Sequence, residues 1–224
     1  MRSLPLPLAL TARLTPVVVL ACAGWAMTSG PDADAQDSAA KDTQQTQSEK
    51  KSADGGSSDT AASKTYDAAL APCTSVAAKT ITSLVPGAKT AGKEIPSTDT
   101  RLRRTCSWNA LKGFDYRWLD ISFEITDSDD AARSSYADRL KEKSGGGDVP
   151  GLGDAGYSVV NLTTEDKQQT REGTVIARVS NALVVVTYNG SDFESKKAPG
   201  TDVINTGAIK AAKEAVAALL KSAG

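Results

Sequence analysis

Histidine is missing from all 224 residues. That absence removes every mechanism that needs an imidazole, including Ser–His and Cys–His nucleophile pairs and His-ligated metals. A net charge is also lacking. At −1 for the whole chain, nothing pulls the molecule as a whole toward nucleic acid or anionic lipid. No unbroken apolar run reaches the ~20 residues that a membrane-spanning helix needs. The stretch from Leu14 to Met27 falls short and is interrupted by Pro16.

Catalytic and metal motifs are wanting too. There is no G-x-S-x-G, the turn that presents a nucleophilic serine. A count for an EF-hand from Asp127 places Ala132 where glycine is required and Asp138 where glutamate is required. The acids Asp127, Asp129 and Asp130 therefore read as a helix start. Gly151-Leu152-Gly153-Asp154-Ala155-Gly156 lacks the Lys-Ser/Thr of a phosphate loop and precedes a strand, so it reads as a turn. No cofactor and no metal are expected, and no enzyme activity. An enzyme would need a carboxylate pair such as Asp120 with Glu124, adjacent on one strand face, set in a cleft.

What is present begins with a targeting segment. Arg2 and Arg13 precede the short apolar stretch, the order of a secretory signal. Residues 1–27 are expected to be a signal peptide or an N-terminal anchor. Val19-Leu20-Ala21-Cys22 resembles a bacterial lipobox, with Cys22 as the lipidated residue, although Leu20 is bulkier than the small residue usual there. Cleavage after Ala35, in Ala33-Asp34-Ala35, would instead release a secreted protein. An uncleaved anchor over Leu4–Met27 is the third possibility. Residues 28–65 hold almost nothing apolar except alanine, so a disordered polar linker is expected. Counted from Cys22 to the domain, the tether is about 43 residues and spans roughly 35–40 Å.

There are three cysteines, Cys22, Cys73 and Cys106. An odd count in an exported chain asks what the odd one does. A lipid on Cys22 would leave Cys73 and Cys106 as a disulfide pair, closing a loop of roughly 34 residues. Two separate buried thiols are the alternative.

Residues 66–224 read as a single α+β domain. A helix is expected from Pro72 to Leu84, and a short strand over Thr105–Asn109. Leu119, Ile121, Phe123 and Ile125 alternate with polar residues across Tyr116–Thr126, which makes a strand with one buried face. A helix capped by Asp127 or Ser128 follows and ends at Gly145. Strands over Tyr157–Leu162, Thr174–Ser180 and Leu183–Tyr188 form an antiparallel meander, with a tight turn at Asn181-Ala182 where asparagine takes positive φ. A last amphipathic helix runs from Thr206 to Ser222. The expected architecture is thus an antiparallel sheet of about five strands with about three helices and one disulfide.

Two surface features call for an explanation. Arg101, Arg103, Arg104, Lys112 and Arg117 form a basic cluster, either a solvated loop and strand rim or a local patch for anionic lipid heads or cell-wall phosphate. Trp108 lies among them. By strand parity Tyr116 and Trp118 share a polar face with Asp120 and Ser122. Aromatics there need either a covering helix or a ligand. Tyr116, Trp118, Trp108 and Arg117 are accordingly the candidate binding residues.

Pro72-Cys73 opening a helix, Cys106-Ser107-Trp108, and Pro150-Gly151-Leu152-Gly153-Asp154-Ala155 leading to an aromatic occur together behind a cysteine-tethered polar linker. This combination resembles an actinobacterial lipoprotein family of unknown function. More distantly, it is similar to extracellular sensor domains of actinobacterial serine/threonine kinases. The resemblance implies a cell-envelope location, a disulfide and a non-enzymatic α+β domain. The expectation is a monomeric ligand-binding or sensing module on the outer face of the cytoplasmic membrane, held there by a lipid or anchor, or secreted. Its partner would be an envelope lipid, glycan or protein, and not nucleic acid. A structural or assembly factor that binds another envelope protein is the alternative.

Overall fold

The computed structural model describes residues 64–223. The expected targeting segment with Cys22, the Ala33-Asp34-Ala35 site and nearly all of the expected linker lie outside the described residues.

Strands β1 (Lys93–Ile95), β2 (Arg103–Lys112), β3 (Asp115–Ile125), β4 (Gly147–Asp148), β5 (Ala155–Glu165), β6 (Gln168–Val179) and β7 (Ala182–Asp192) build one sheet. Every pairing is antiparallel, in the order β1-β2-β3-β7-β6-β5-β4. Helices α1 (Ala78–Leu84), α2 (Asp129–Lys141) and α3 (Thr201–Ser222) complete the fold. The class is α+β as expected, but the sheet has seven strands, not about five. The additional ones, β1 and β4, are short and exposed at every residue. Such edge strands carry no alternation of apolar and polar residues. Their pairing is set by the neighbouring backbone, which local sequence does not report.

Alternation divides the sheet into two faces. On one, Leu119, Ile121 and Phe123 of β3 lie beside Tyr188, Val186 and Val184 of β7. Gly173, Val175 and Ala177 of β6 continue the same rows. Helix α3 lies on this face. Ile204, Ala208, Ala211, Ala212, Ala215 and Leu219 are all fully buried along it. Its alanines let the helix approach closely, and Gly207 sits where a Cβ would come within 2.7 Å of the Tyr188 ring. The Tyr188 hydroxyl donates to Leu84 O at 2.7 Å, which ties α1 to the same core.

The single helix expected over Pro72–Leu84 is broken. A 3-10 turn, Pro72–Thr74, precedes an extended Ala77 (φ −63°, ψ 141°), and only then does α1 begin. Three contacts favour the break. Cys73 is bonded to buried Cys106 on β2. Ser75 Oγ donates to Pro72 O, and Val76 turns into the core. Glu214 of α3 then accepts from Ala77 N at 2.9 Å and from Thr80 Oγ1 at 2.7 Å. A carboxylate from a distant helix thereby caps the N-terminus of α1.

Other boundaries shift for similar reasons. Of the two expected caps, Asp127 and Ser128, it is Ser128 that caps α2, accepting from Ala131 N, but the helix stops at Lys141, before the glycines. Helix α3 starts five residues early, at Thr201 rather than Thr206, so that Ile204 is buried. At the β6–β7 turn, Ser180 takes the positive φ (50°) assigned above to asparagine. Asn181 is instead fully buried. Its side-chain oxygen accepts from Thr65 N and Tyr66 N, and its amide nitrogen donates to Tyr66 O and Thr126 O. The start of the domain is latched to the sheet at that turn.

The Cys73–Cys106 disulfide is present. Among the described residues no helix is long and apolar enough to cross a membrane.

Candidate functional site

The second face of the sheet is polar, and strand register organises it into rows. Asn109, Trp118, Asn189, Glu172 and Asn161 lie side by side across β2, β3, β7, β6 and β5. The next row is Ser107, Asp120, Thr187, Thr174 and Val159. Beyond it come Thr105, Ser122, Val185, Ile176 and Tyr157, then Arg103, Glu124, Leu183 and Arg178. Helix α2 packs on β6 and β7 at that last end. There Glu124 is held between two arginines, Arg103 at 3.6 Å and Arg139 of α2, which also hydrogen-bonds it.

Trp118 is six residues from Glu124 along β3, about 20 Å at strand rise. Among the described residues no helix covers it: α2 packs on β6 and β7, and α3 on the opposite face. Trp118 is 37% exposed. Its indole nitrogen donates to Asp120 Oδ1 at 2.6 Å, which fixes the ring relative to the carboxylate. Tyr116 packs edge-on against Trp118, at 6.4 Å between centroids and 87° between planes. On its other side lies Phe193, at 6.0 Å. Burial, and then the Asp120 carboxylate, push the Tyr116 hydroxyl above its ordinary pKa. Of the covering helix or ligand expected at these rings, no covering helix is present among the described residues.

The other two candidate residues lie elsewhere. Trp108 is on the α3 face, 1% exposed, with its nitrogen donating to Thr90 O at 3.0 Å. Gly92, with φ +65°, passes so close that a Cβ would meet both Cys106 Sγ and the Trp108 ring at 2.6 Å. Trp108 is therefore part of the disulfide's packing and is closed to a ligand. Arg117 also points away from Trp118 by parity. It pairs with Asp115 at 2.8 Å and lies near Tyr188. The basic cluster is dispersed as well. Arg104 makes a bidentate pair with Glu94, Arg103 lies against Glu124, and Arg117 against Asp115. The arginines are thus mostly neutralised within the sheet.

Two features were not anticipated. The first is a groove of about 580 Å³ beside the open face, between the β1–β2 loop (Pro96–Asp99, Leu102) and the strand residues Arg103, Thr105 and Asp120. Asp120 therefore belongs both to the groove wall and to Trp118. The second is an apolar patch continuing from Tyr116 to the β2–β3 hairpin tip. Leu111 (57% exposed), Phe114 (54%) and Phe193 (46%) make it up. Phe193 N donates to Phe114 O, which joins the tip to the loop after β7. Strand parity places Leu111 on the face of Trp118, but Phe193 comes from a loop whose position only the fold decides. Asp120 and Glu124 share the face as expected, yet they are tied to different partners, Trp118 and the two arginines. Among the described residues no group of three or more Cys, Asp or Glu is placed to hold a metal.

Comparison with known proteins adds little. No family model matches the chain, and no curated protein matches it. Among solved structures, a crystal structure from Bacteroides thetaiotaomicron VPI-5482 overlaps 53% of the chain and 47% of its own, with a TM-score of 0.32 and 14% identity. The extracellular domain of PknH from Mycobacterium tuberculosis overlaps 52% of the chain and 64% of its own, with a TM-score of 0.27 and 15% identity. The chain thus spans about half the length of the first and less than two thirds of the second. At this level of similarity neither structure bears on what the chain does.

Proposed function

We propose that the chain is an exported, non-enzymatic binding module whose ligand surface is the open face of the sheet around Trp118. One observation carries the reading. An aromatic pair stands on a polar sheet face, and the helix on that face lies at its far end. A large exposed apolar ring among polar groups is costly to leave in water and marks a recognition site. The disulfide supports an oxidising compartment.

The chain enters the domain at Tyr66, which Asn181 holds at the β6–β7 turn. That turn is at the Ile125 end of β3, and Tyr116 lies nine residues along the strand, about 30 Å at strand rise.

Site-specific photocrosslinking on intact cells tests the reading. A photoreactive residue at Trp118 should form an adduct with an envelope component. One at Leu162, exposed on the opposite face near the β5–β6 hairpin, should not. No adduct at Trp118 would refute it. The apolar patch favours a second reading, an assembly factor that docks on another envelope protein. Under that reading crosslinks from Leu111 and Phe114 converge on one protein. Leu111→Asp with Phe114→Asp would then abolish its recovery, whereas Trp118→Ala would not.

A further inference from the structure

We infer that the open face binds an uncharged oligosaccharide, stacked on Trp118 and running past Asp120 into the groove under the β1–β2 loop. The inference rests on the binding-module reading above and names its ligand class.

Sugar rings present an apolar C–H face and an edge of hydroxyls. A site for them needs an exposed aromatic face, with planar amides and carboxylates beside it that accept or donate two hydrogen bonds at once. Register supplies this arrangement. Asn109 and Asn189 are the direct cross-strand neighbours of Trp118 on its two sides. Asp120 is bonded to the indole at one oxygen, which leaves its other oxygen for a ligand hydroxyl. One row on, Ser107 is the cross-strand neighbour of Asp120. Ser107 is only 9% exposed, and its Oγ has no hydrogen-bond partner among the described residues. A buried hydroxyl without a partner is costly unless a ligand or water satisfies it.

Charge narrows the class. The cations of this face are engaged within the protein. Arg103 and Arg139 are on Glu124, and Arg178 is on Asp154. Asp120 and Glu172 form no ion pair among the described residues. Among the described residues the groove's own cation, Arg103, stands at the end away from Trp118, against Glu124, so an anionic polymer or lipid headgroup brought to Trp118 would meet the Asp120 and Glu172 carboxylates first. The groove continues from Asp120 to Thr105 and Arg103, so a chain of sugar units is accommodated rather than one ring.

The test uses the full chain purified from its own envelope fraction. Its tryptophan fluorescence is titrated with neutral oligosaccharides (mannohexaose, maltohexaose, chitohexaose and arabinohexaose), with choline chloride and with phosphatidylglycerol vesicles. At least one oligosaccharide should give a saturable change. Trp118→Ala should weaken its binding, measured by calorimetry, by at least about 10-fold, with Asp120→Asn and Ser107→Ala each weakening it about 3- to 30-fold, the scale of one or two lost hydrogen bonds. Far-ultraviolet circular dichroism should show Trp118→Ala still folded under the binding conditions, so that its loss of binding is read at the site. Three results would overturn the inference. If no oligosaccharide binds, the ligand class is wrong. If choline or vesicles bind instead and Trp118→Ala abolishes that binding, the face stands as a binding site but not for sugar. If an oligosaccharide binds equally well to all three variants, the site itself is misplaced.

Discussion

Loss of the Cys73–Cys106 crosslink is expected to be the largest single-site change in stability, and its size follows from the chain. The cysteines are 33 residues apart. In the chain-entropy model, opening a loop of that length costs about 3–4 kcal/mol. For a folded region of this size each kcal/mol moves the melting temperature by about 2–4 °C, so a fall of roughly 6–16 °C follows. Cys73→Ala is the informative variant. It removes the crosslink from the half-buried side and leaves the Cys106 sulfur in its packed place against Gly92 and Trp108. Cys106→Ala adds a cavity in that cluster and should cost about 1 kcal/mol more. Thermal unfolding followed by far-ultraviolet circular dichroism measures both. Hydrogen exchange should show loosening first at Pro72–Thr74 and near Gly92, the segments that the bond holds to β2. A Cys73→Ala midpoint within about 2 °C of the parent would refute the loop-closure reasoning.

Glycine to alanine inside a helix ordinarily stabilises by up to ~1 kcal/mol. At Gly207 the sign should reverse, with a net loss of about 1–2 kcal/mol in urea unfolding, because the new methyl would press on a Tyr188 ring held by its bond to Leu84 O. Asn181→Ala removes four hydrogen bonds at a fully buried site. A loss of about 2–4 kcal/mol is expected, together with faster amide exchange at Thr65 and Tyr66; unchanged exchange there would contradict the latch. Burial raises the pKa of Tyr188, Tyr66 and Tyr136 above the ordinary 10.0. Their folded-state values exceed the unfolded one, so stability is complete below pH 10 and falls as pH rises past it. Denaturant titrations above pH 10 should show that fall, and Tyr188→Phe should flatten it.

Local pattern alone was enough for a good part of this protein. The β3 alternation of Leu119, Ile121, Phe123 and Ile125 with polar residues determines which face is buried, because a period of two admits one answer. The same parity puts Tyr116 and Trp118 with Asp120 on the other face before any coordinates are known. The turn at Gly151 ahead of β5 is likewise a matter of near neighbours, whereas the sequence narrowed the α2 cap to Asp127 or Ser128 and favoured the Cys73–Cys106 pairing over separate thiols, and the structure chose. Tertiary structure decided what depends on distant partners. Edge strands β1 and β4 exist because β2 and β5 offer them a backbone. The helix expected over Pro72–Leu84 breaks because Cys106 and Glu214, far along the chain, hold its ends apart. Trp108 looks like a site residue beside the arginines, yet it is a core residue, since that strand's parity places it under the disulfide. Whether the polar face stayed open was also a tertiary matter. Both faces of β3 could have been covered, and only the placement of α2 against Glu124 left Trp118 in water, with Asn109 and Asn189 on either side.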